Sequence, residues 1–235
     1  MRVTLTIAEV ISATPRAVIL RLDLNRLVFD YRPGQAVLVG CPGEPLKRPY
    51  SIAIAPHESR SLSQLELLVG LDADGTAGAH LPTLAPGTPI EVEGPIGSFQ
   101  LPLNLRGAPF LFVAGGTGIA PLRAMLHEVL SEHPPPRIGV LYSARSPDEF
   151  AYRDELAALA AQGRITLVQT VTRPGDHSWA GERGRITSEH VADMVDGDTL
   201  CFVCGPHTFV EAMLPLLEGA GVASDRIRVE DWGTG

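Results

Sequence analysis

A glycine-rich segment in the middle of the chain has the composition of a phosphate-binding loop. It reads GGTGIAP and lies between an apolar run and a run with helical spacing. Glycines let a backbone approach a phosphate closely, and the free N–H groups at the start of a helix attract the anion. A tight turn without a ligand is the alternative, but the strand–loop–helix context favours a dinucleotide pyrophosphate. The predicted contacts are Gly115, Gly116, Thr117, Gly118 and Pro121.

A second candidate site, Arg48-Pro49-Tyr50-Ser51, lies in the first half of the chain. A guanidinium, an aromatic ring and a hydroxyl placed so close together can supply a phosphate fork, a stacking surface and a hydrogen-bond donor. Four residues make a short pattern, and the ordinary start of a strand is the alternative. The segment supports a binding site only in combination with other motifs.

The pair Cys201 and Cys204 has the spacing of a redox or metal-binding motif. It lies, however, in the apolar run TLCFVCG, which is typical of a buried strand. Residues three apart on a strand point to opposite faces, with Cα atoms roughly 10 Å apart, whereas a disulfide needs them within about 7 Å. We therefore predict no metal site here. Cys204 nevertheless ends a predicted strand, where ligands of doubly wound sheets bind.

The elements that carry these segments change character near Leu105, which divides the chain into residues 1–105 and 106–235. In the first part, short runs rich in Val, Ile and Leu alternate with stretches that contain Pro and Gly, and none has a convincing helical period. Such a pattern predicts an antiparallel barrel or sandwich. The six predicted strands are VTLTIAEVIS, AVILRLDL, QAVLVGC, PYSIAIA, LELLVG and PIEVEG.

The second part alternates strands with amphipathic helices. The helix after the glycine loop places Ile119, Leu122, Leu126, Val129 and Leu130 on one stripe. This alternation predicts a parallel sheet with helices on both faces. Two more helices are predicted over DEFAYRDELAALAAQ and FVEAMLPLLEGAG, and five strands over PFLFVAGG, RIGVLYSA, ITLVQTVT, TLCFVCG and IRVEDW.

The composition narrows the classes of function. The chain has 235 residues, of which 45% are hydrophobic and 20% charged, as in ordinary globular proteins. A formal net charge of −8 argues against nucleic acid as the main partner, because a phosphate-binding surface needs a basic face. No apolar run approaches the roughly 20 residues that span a bilayer, and the N-terminus does not read as a signal peptide. We expect a cytoplasmic protein without a membrane span.

Taken in order, these segments resemble the ferredoxin–NADP reductase family, which includes the reductase components of bacterial oxygenases. No single motif is decisive, but five of them stand in the family's order and approximate spacing. The resemblance implies an N-terminal antiparallel Greek-key β-barrel that binds FAD and a C-terminal doubly wound parallel α/β domain that binds NADPH or NADH. The five are RPYS at 48–51, GPIGSF at 94–99, GGTGIAP at 115–121, CGP at 204–206 and the acidic–aromatic ending.

The resemblance also implies roles for single residues. Arg48 would pair with the FAD pyrophosphate, Tyr50 would pack against the isoalloxazine, and Ser51 would hydrogen-bond near the flavin N5. In the CGP segment, Cys204 would lie beside the contact between nicotinamide and flavin. Ser51, Cys204 and Glu230 are thus the predicted catalytic residues. The further residues implied to contact cofactor are Pro49, Gly205, Pro206 and Trp232, the last capping the flavin ring.

Two departures from the family pattern concern the flavin. Many members carry Ser or Thr in a loop before the GPxGxF segment, where the hydroxyl helps to hold the flavin phosphates. Here Gly78 stands at that place, so Gly75, Gly78 and, as a substitute hydroxyl, Thr76 are the predicted contacts. Trp232 replaces the more usual Tyr or Phe, so its ring packing need not be standard.

The choice of coenzyme depends on loops after the second and third strands of the second part. An arginine cluster there suits a 2′-phosphate, because guanidinium groups bind phosphate with two hydrogen bonds. Acidic residues nearby suit a free 2′-hydroxyl instead, and a solvated charged surface explains some of the arginines. The balance favours NADPH. The arginines are Arg145, Arg173, Arg183 and Arg185, and the acids are Asp148 and Glu149.

These expectations converge on a reductase that takes a hydride from NAD(P)H onto FAD and passes electrons to a separate redox protein, such as a ferredoxin, an oxygenase component or a cytochrome. The alternatives are an FAD-bearing electron-conduit subunit of a larger complex and a nucleotide-binding module without turnover. The three cysteines do not form the four-thiolate set of an iron–sulfur centre. Any such centre must therefore come from another protein.

Overall fold

Two six-stranded sheets follow one another along the chain in the structure, a computed structural model. It describes residues 1–105, 107–173, 175 and 179–232, the last without its side chain. The predicted division between residues 105 and 106 falls in the connection between the two sheets and stays a prediction, since Arg106 lies outside the described residues. None of the helices in the described part is long and apolar enough to cross a membrane.

The first sheet is an antiparallel barrel. Its strand order is β4-β3-β6-β1-β2-β5, so β6 lies between β1 and β3 as in a Greek key rather than a simple meander. The two edges meet where Ile52 bridges to Leu67, which closes the sheet on itself. All six predicted strands are confirmed. They are β1 (Arg2–Thr14), β2 (Ala17–Asp23), β3 (Ala36–Gly40), β4 (Arg48–Ser51), β5 (Gln64–Gly70) and β6 (Pro89–Ile96).

One short helix, α1 (Pro56–Leu62), interrupts the barrel and was not predicted. Pro56 occupies its first turn, and the Glu58 carboxylate accepts a hydrogen bond from the Ala55 N–H. Such a helix start was visible in the sequence. Seven residues are too few to show a helical period, which is why the pattern was missed.

The second sheet is entirely parallel, with the order β10-β9-β8-β7-β11-β12. Its five longer strands were predicted and are confirmed. The strands are β7 (Phe110–Gly115), β8 (Ile138–Ala144), β9 (Thr166–Val171), β10 (Glu182–Arg183), β11 (Leu200–Pro206) and β12 (Ile227–Trp232). The helices are α2 (Ile119–Leu130), α3 (Arg153–Ala161), α4 (Ser188–Ala192) and α5 (His207–Gly219).

Helices cover both faces of this sheet, as predicted. Successive residues of β7 enter different cores: Phe110 and Phe112 pack with α2 and α3, whereas Leu111 packs with α4 and α5. Cys201 and Cys204 likewise belong to opposite cores and form no disulfide. The strand geometry therefore explains their spacing.

The predicted second helix begins later than expected. Residues 147–149 form a 3₁₀ turn, and α3 begins at Arg153. Tyr152 has a φ of 57°, which takes it out of the helical path. Phe150 is buried as predicted, but from the loop rather than from the helix. The short elements β10 and α4 were not predicted.

The barrel and the parallel sheet share a continuous apolar core. Ala17, Ile19 and Leu68 of the barrel pack in the same cluster as Phe112 and Ile119 of the second sheet. A shared core of this kind fixes how the two halves lie relative to each other. Residues at the carboxyl ends of the parallel strands are therefore held at a defined position beside the barrel.

A buried ionic network reinforces this interface. The Arg123 guanidinium, on α2, contacts the Glu155 carboxylate of α3 at 2.8 Å and donates to the Ala53 carbonyl of the barrel at 2.6 Å. His127, one turn further along α2, lies 2.8 Å from Glu58 of α1 and 2.7 Å from Glu155. Burial disfavours the charged imidazole, but its hydrogen bonds to the two carboxylates outweigh that effect and raise the pKa of His127 to about 9.

We expect His127→Gln to destabilise the protein by about 3 kcal/mol at neutral pH, the equivalent of the raised pKa. A raised histidine pKa stabilises the fold fully below about pH 6.5, and the stabilisation disappears as the pH rises through about 9. Urea unfolding of the two proteins from about pH 6 to pH 10 measures the difference, which should shrink steadily above neutrality. His57→Gln is the control, because His57 pairs with Glu128 at the surface. A difference that does not vary with pH would exclude the ionic explanation.

Candidate functional site

The glycine loop lies directly against the end of β11. Gly116–Gly118 form a 3₁₀ turn between β7 and α2, and Pro121 falls in the first turn of α2 as predicted. A Cβ atom at Gly118 would lie 2.2 Å from the Cys204 carbonyl oxygen and 2.8 Å from the Gly205 nitrogen. No other residue fits there. The sheet thus brings together two segments, GGTG and CGP, that lie almost 90 residues apart along the chain.

Tyr142 supports this loop from below. Its hydroxyl donates to the Gly116 carbonyl at 3.1 Å and accepts the Ala151 N–H at 3.1 Å, and its ring is fully buried in β8. Sequence reasoning assigned Tyr142 only to a strand. A polar tip at the carboxyl end of a buried strand was the available signal, because buried tyrosine hydroxyls usually find a hydrogen-bond partner.

A cavity of about 590 Å³ opens between the glycine loop and the barrel. Gly115, Gly116 and Thr117 line one end, and Arg16 and Leu71 of the barrel line the opposite side. Three of the four predicted arginines also line the cavity, whereas Arg183 does not. The three are Arg145, Arg173 and Arg185, and all of them are exposed.

Both acids that would favour NADH already contact another side chain. Glu149 lines the cavity but pairs with the Arg16 guanidinium at 2.6 Å, across the interface between barrel and second sheet. Asp148 accepts a hydrogen bond from the Ser146 hydroxyl at 2.5 Å. The cavity therefore presents more positive than negative charge to a bound coenzyme.

Ser51 and Glu230 meet across the two halves of the chain. Ser51 ends β4 of the barrel and is buried, and its hydroxyl lies 3.5 Å from Glu230 Oε2 on β12. Burial raises the pKa of the Glu230 carboxyl to about 7, and the negative charge of Asp231 adds to the effect. This carboxyl can therefore hold or release a proton near neutral pH.

Arg48 and Pro49 are exposed and Tyr50 is half-buried on β4, which pairs with β3. The Tyr50 hydroxyl lies 2.7 Å from Nε2 of His80, and the two rings stack with centroids 5.7 Å apart. Sequence reasoning did not single out His80 as a ligand-binding residue.

The loop that was predicted to hold flavin phosphate has a defined internal order. The Thr76 hydroxyl donates to Asp74 at 2.8 Å and accepts the Gly78 N–H at 3.2 Å, and Gly75 and Gly78 have φ values of 80° and 89°. Thr76 therefore organises the turn, and its hydroxyl proton is already engaged.

The CGP segment ends β11. The Cys204 side chain is fully buried, Gly205 is packed against Phe209, and Pro206 lines the cavity. The backbone of Trp232 pairs with Pro206, but its side chain lies outside the described residues. Its predicted position over the flavin thus remains a prediction.

The residues present fit both groups that the resemblance implies. A glycine loop at the carboxyl end of a parallel strand, beside exposed arginines, suits a dinucleotide. On the barrel, Arg48 Nη1 and His80 Nδ1 would each lie 3.7 Å from a Cβ atom at Gly78, and Nδ1 is a buried nitrogen without a hydrogen-bond partner among the described residues. A buried polar atom of this kind beside a guanidinium suits an anionic ligand such as a flavin phosphate.

A flavin-type barrel joined to a doubly wound nucleotide-binding sheet defines a class, the two-domain flavoprotein oxidoreductases. Residues 2–101 match the model of the oxidoreductase FAD-binding domain, and residues 112–214 match that of the oxidoreductase NAD-binding domain. The chain is 34% identical to ferredoxin–NADP reductase B of Sorangium cellulosum over 220 residues, 89% of this chain and 88% of that protein. It belongs to the ferredoxin–NADP reductase family and is an NAD(P)H-dependent flavoprotein reductase.

Longer relatives contain the same unit. The chain is 29% identical to the glycine betaine monooxygenase reductase subunit of Pseudomonas aeruginosa over 88% of its own length but 57% of that protein. A cytochrome P450 reductase from Amycolatopsis superposes with a TM-score of 0.87 at 27% identity, covering all of this chain and 70% of that one. The chain thus spans somewhat more than half the length of several relatives.

Proposed function

We propose that this protein oxidises NADPH, reduces bound FAD and passes the electrons to a separate redox protein in the cytoplasm. The observation that carries the proposal is the contact between Ser51 and Glu230, because one comes from each half of the chain and Glu230 pairs in register with Cys204 of the CGP segment. Groups that serve a reaction between two cofactors must lie where the two binding domains join. The shared apolar core fixes that junction.

Each half supplies the groups for one cofactor. On the barrel, Arg48 binds the FAD pyrophosphate, Tyr50 packs on the flavin ring, and the turn at Gly75–Gly78 approaches the phosphates. On the second sheet, the backbone N–H groups of Gly116–Gly118 bind the pyrophosphate of the coenzyme. The CGP segment, from Cys204 to Pro206, lies beside the nicotinamide.

The two cofactors, when bound, supply the hydride chemistry, and the protein supplies position and charge. The Ser51 hydroxyl donates to Glu230 Oε2 and would lie beside the flavin edge. The Glu230 carboxyl is protonated below about pH 7 and then places no negative charge in the cleft. Cys204 is buried on β11, and its backbone carbonyl positions the glycine loop, because Gly118 packs directly against it.

The charge of the cavity supports NADPH over NADH. Arg145, Arg173 and Arg185 line it, while Arg16 neutralises the nearest acid, Glu149. A 2′-phosphate carries up to two negative charges, and its terminal oxygens accept hydrogen bonds, so guanidinium groups bind it well. A free 2′-hydroxyl gains much less from the same three groups.

We expect the double substitution Arg173→Ala, Arg185→Ala to lower kcat/KM for NADPH by about tenfold. A hydrogen bond between a guanidinium and a charged phosphate contributes about 1.5 kcal/mol or more. The value for NADH should change by less than about threefold. Steady-state kinetics with both coenzymes measure the ratio. Arg183→Ala is the matched control, because Arg183 lies on β10 outside the cavity. Equal losses of kcat/KM with both coenzymes would show that the arginines attract either coenzyme through their positive charge and do not recognise the 2′-phosphate.

The acceptor is proposed from the relatives, one of which is a ferredoxin reductase and another the reductase subunit of a glycine betaine monooxygenase. We therefore propose an iron–sulfur protein, either a ferredoxin or an oxygenase component, with a cytochrome as the less favoured acceptor. Reduction of an artificial dye by this chain and NADPH alone tests whether it is a complete reductase. Turnover with the dye supports the proposal, whereas bound FAD that never turns over favours the electron-conduit subunit.

A further inference from the structure

His80 is held in a fixed orientation at the end of the turn that follows β5. The residue is 1% exposed. Its ring stacks on Tyr50 with an interplanar angle of 16°, and Nε2 lies 2.7 Å from the Tyr50 hydroxyl. Stacking and hydrogen bonding together leave the ring little freedom to rotate. The direction in which Nδ1 points is therefore set by the fold.

Nδ1 of this ring is buried and has no hydrogen-bond partner among the described residues. Leaving a buried polar atom unpaired costs about 1–3 kcal/mol, and proteins rarely accept that cost without a ligand or water to meet the atom. The space beside Nδ1 is defined by Gly78. A Cβ atom there would lie 3.7 Å from Nδ1, 3.7 Å from Arg48 Nη1 and 3.4 Å from Asp72 Oδ2.

The same space is therefore shared by an unpaired imidazole nitrogen and a guanidinium. Gly78 has no side chain to fill it, and its φ of 89° disfavours any other residue. Both side chains at its rim, Arg48 and Asp72, belong to exposed residues and can move aside. An anion that pairs with Arg48 above Gly78 would come within reach of Nδ1.

The hydrogen bond to Tyr50 decides what Nδ1 offers to a ligand. Burial raises the pKa of the Tyr50 hydroxyl to about 12, so the phenol keeps its proton and can donate it to Nε2. Burial and the nearby Arg48 charge lower the pKa of His80, which favours the neutral ring. A neutral imidazole that accepts at Nε2 carries its proton on Nδ1 and donates there.

We propose that His80 is a flavin-positioning residue whose Nδ1–H donates a hydrogen bond to a phosphate oxygen of FAD beside Arg48. The inference rests on the proposed function, in which Arg48 binds that pyrophosphate. A phosphate oxygen only accepts hydrogen bonds, so it matches the protonated Nδ1 and the guanidinium at once. The ring thereby links the phosphates to Tyr50, the residue that packs on the flavin.

Two substitutions separate the two ring nitrogens. An asparagine amide at position 80 can place a donor near Nδ1 but loses the partner of Tyr50, whereas a glutamine amide reaches Tyr50 and loses the donor at Nδ1. Titration of the FAD-free protein, followed by flavin fluorescence, gives the dissociation constants for FAD and for riboflavin, which has no phosphate. We expect His80→Gln to weaken FAD binding about tenfold or more, His80→Asn to weaken it less than about threefold, and neither to change riboflavin binding.

Other outcomes overturn the inference. The opposite result, in which His80→Asn weakens FAD binding and His80→Gln leaves it unchanged, would show that the only role of His80 is to hydrogen-bond Tyr50. Equal losses for FAD and riboflavin would show a packing effect, and unchanged FAD binding in both variants would exclude any role. Arg48→Ala is the control. If this variant and both His80 variants bind FAD normally, the proposed flavin site itself is wrong. If Arg48→Ala is the only variant that weakens FAD binding, the inference about His80 is wrong but the proposed flavin site stands.

Nitrogen-15 NMR of histidine-labelled wild-type protein needs no substitution and covers the case of variants that fail to fold. We expect one imidazole to be neutral with its proton on Nδ1, and this proton resonance to shift when FAD binds but not when riboflavin binds. An Nδ1 that carries no proton in the FAD complex would contradict the proposal.

Discussion

Gly118→Ala is expected to lower kcat/KM for the nicotinamide coenzyme by about 100-fold while FAD stays bound. The added Cβ atom would lie 2.2 Å from the Cys204 carbonyl oxygen and 2.5 Å from its carbonyl carbon. Both are backbone atoms at the end of a central strand, so relief requires the glycine loop and the CGP segment to separate by roughly 1 Å. A displacement of that size at a site that orients reactants costs about 100-fold in rate.

Gly197→Ala is the matched control, because Gly197 precedes β11 and has no atom within 4 Å of the position of a new Cβ. Circular dichroism and the flavin absorbance of both variants establish that the barrel is intact. If Gly118→Ala keeps the full kcat/KM, the close approach of the two segments is not needed for coenzyme binding. If it loses FAD as well, the effect is a general loss of structure.

The second large effect concerns Ser51 and Glu230. We expect Ser51→Ala to slow reduction of the flavin by about 100-fold, the lower range for a lost proton-handling group, with little change in the affinity for the coenzyme. We also expect the wild-type rate to fall as the pH rises through about 7, because Glu230 then ionises and places a negative charge beside the incoming hydride. Glu230→Gln is neutral at every pH and should give a flat profile.

Rapid mixing under anaerobic conditions separates the coenzyme affinity from the rate of reduction in each variant. Glu93→Gln serves as a control, since Glu93 lies on β6 at the barrel surface and pairs with Lys47. A transition near pH 7 that persists in Glu230→Gln would belong to another group. An unchanged rate in Ser51→Ala would remove this hydroxyl from the mechanism.

Most of the fold followed from local pattern. The long strands alternate apolar residues or are wholly apolar, and α2 carries a full helical stripe that the structure buries as predicted. Three short elements, α1, α4 and β10, were not predicted, because they have seven residues or fewer and show no clear apolar period. The late start of α3 depends on the left-handed backbone of Tyr152. That conformation is uncommon for tyrosine and could not be predicted from the sequence.

The site divides in the same way. The phosphate loop was visible because its glycines lie together in the sequence. The family resemblance implied separate roles for Ser51 and Glu230, but their contact joins residues 179 positions apart and was not predicted. Contacts that depend on tertiary packing escaped prediction. Tyr142 supports the loop from another strand, His80 turns one nitrogen to Tyr50, and His127 meets acids from two other helices.

The most direct test of the proposed function is to mix the FAD-loaded protein with NADPH in the absence of oxygen and to follow the visible absorbance of the flavin. We expect rapid bleaching with NADPH, slower bleaching with NADH, and recovery of the colour when an iron–sulfur acceptor or dye is added. A protein that binds FAD but stays yellow with both coenzymes would contradict the proposed function.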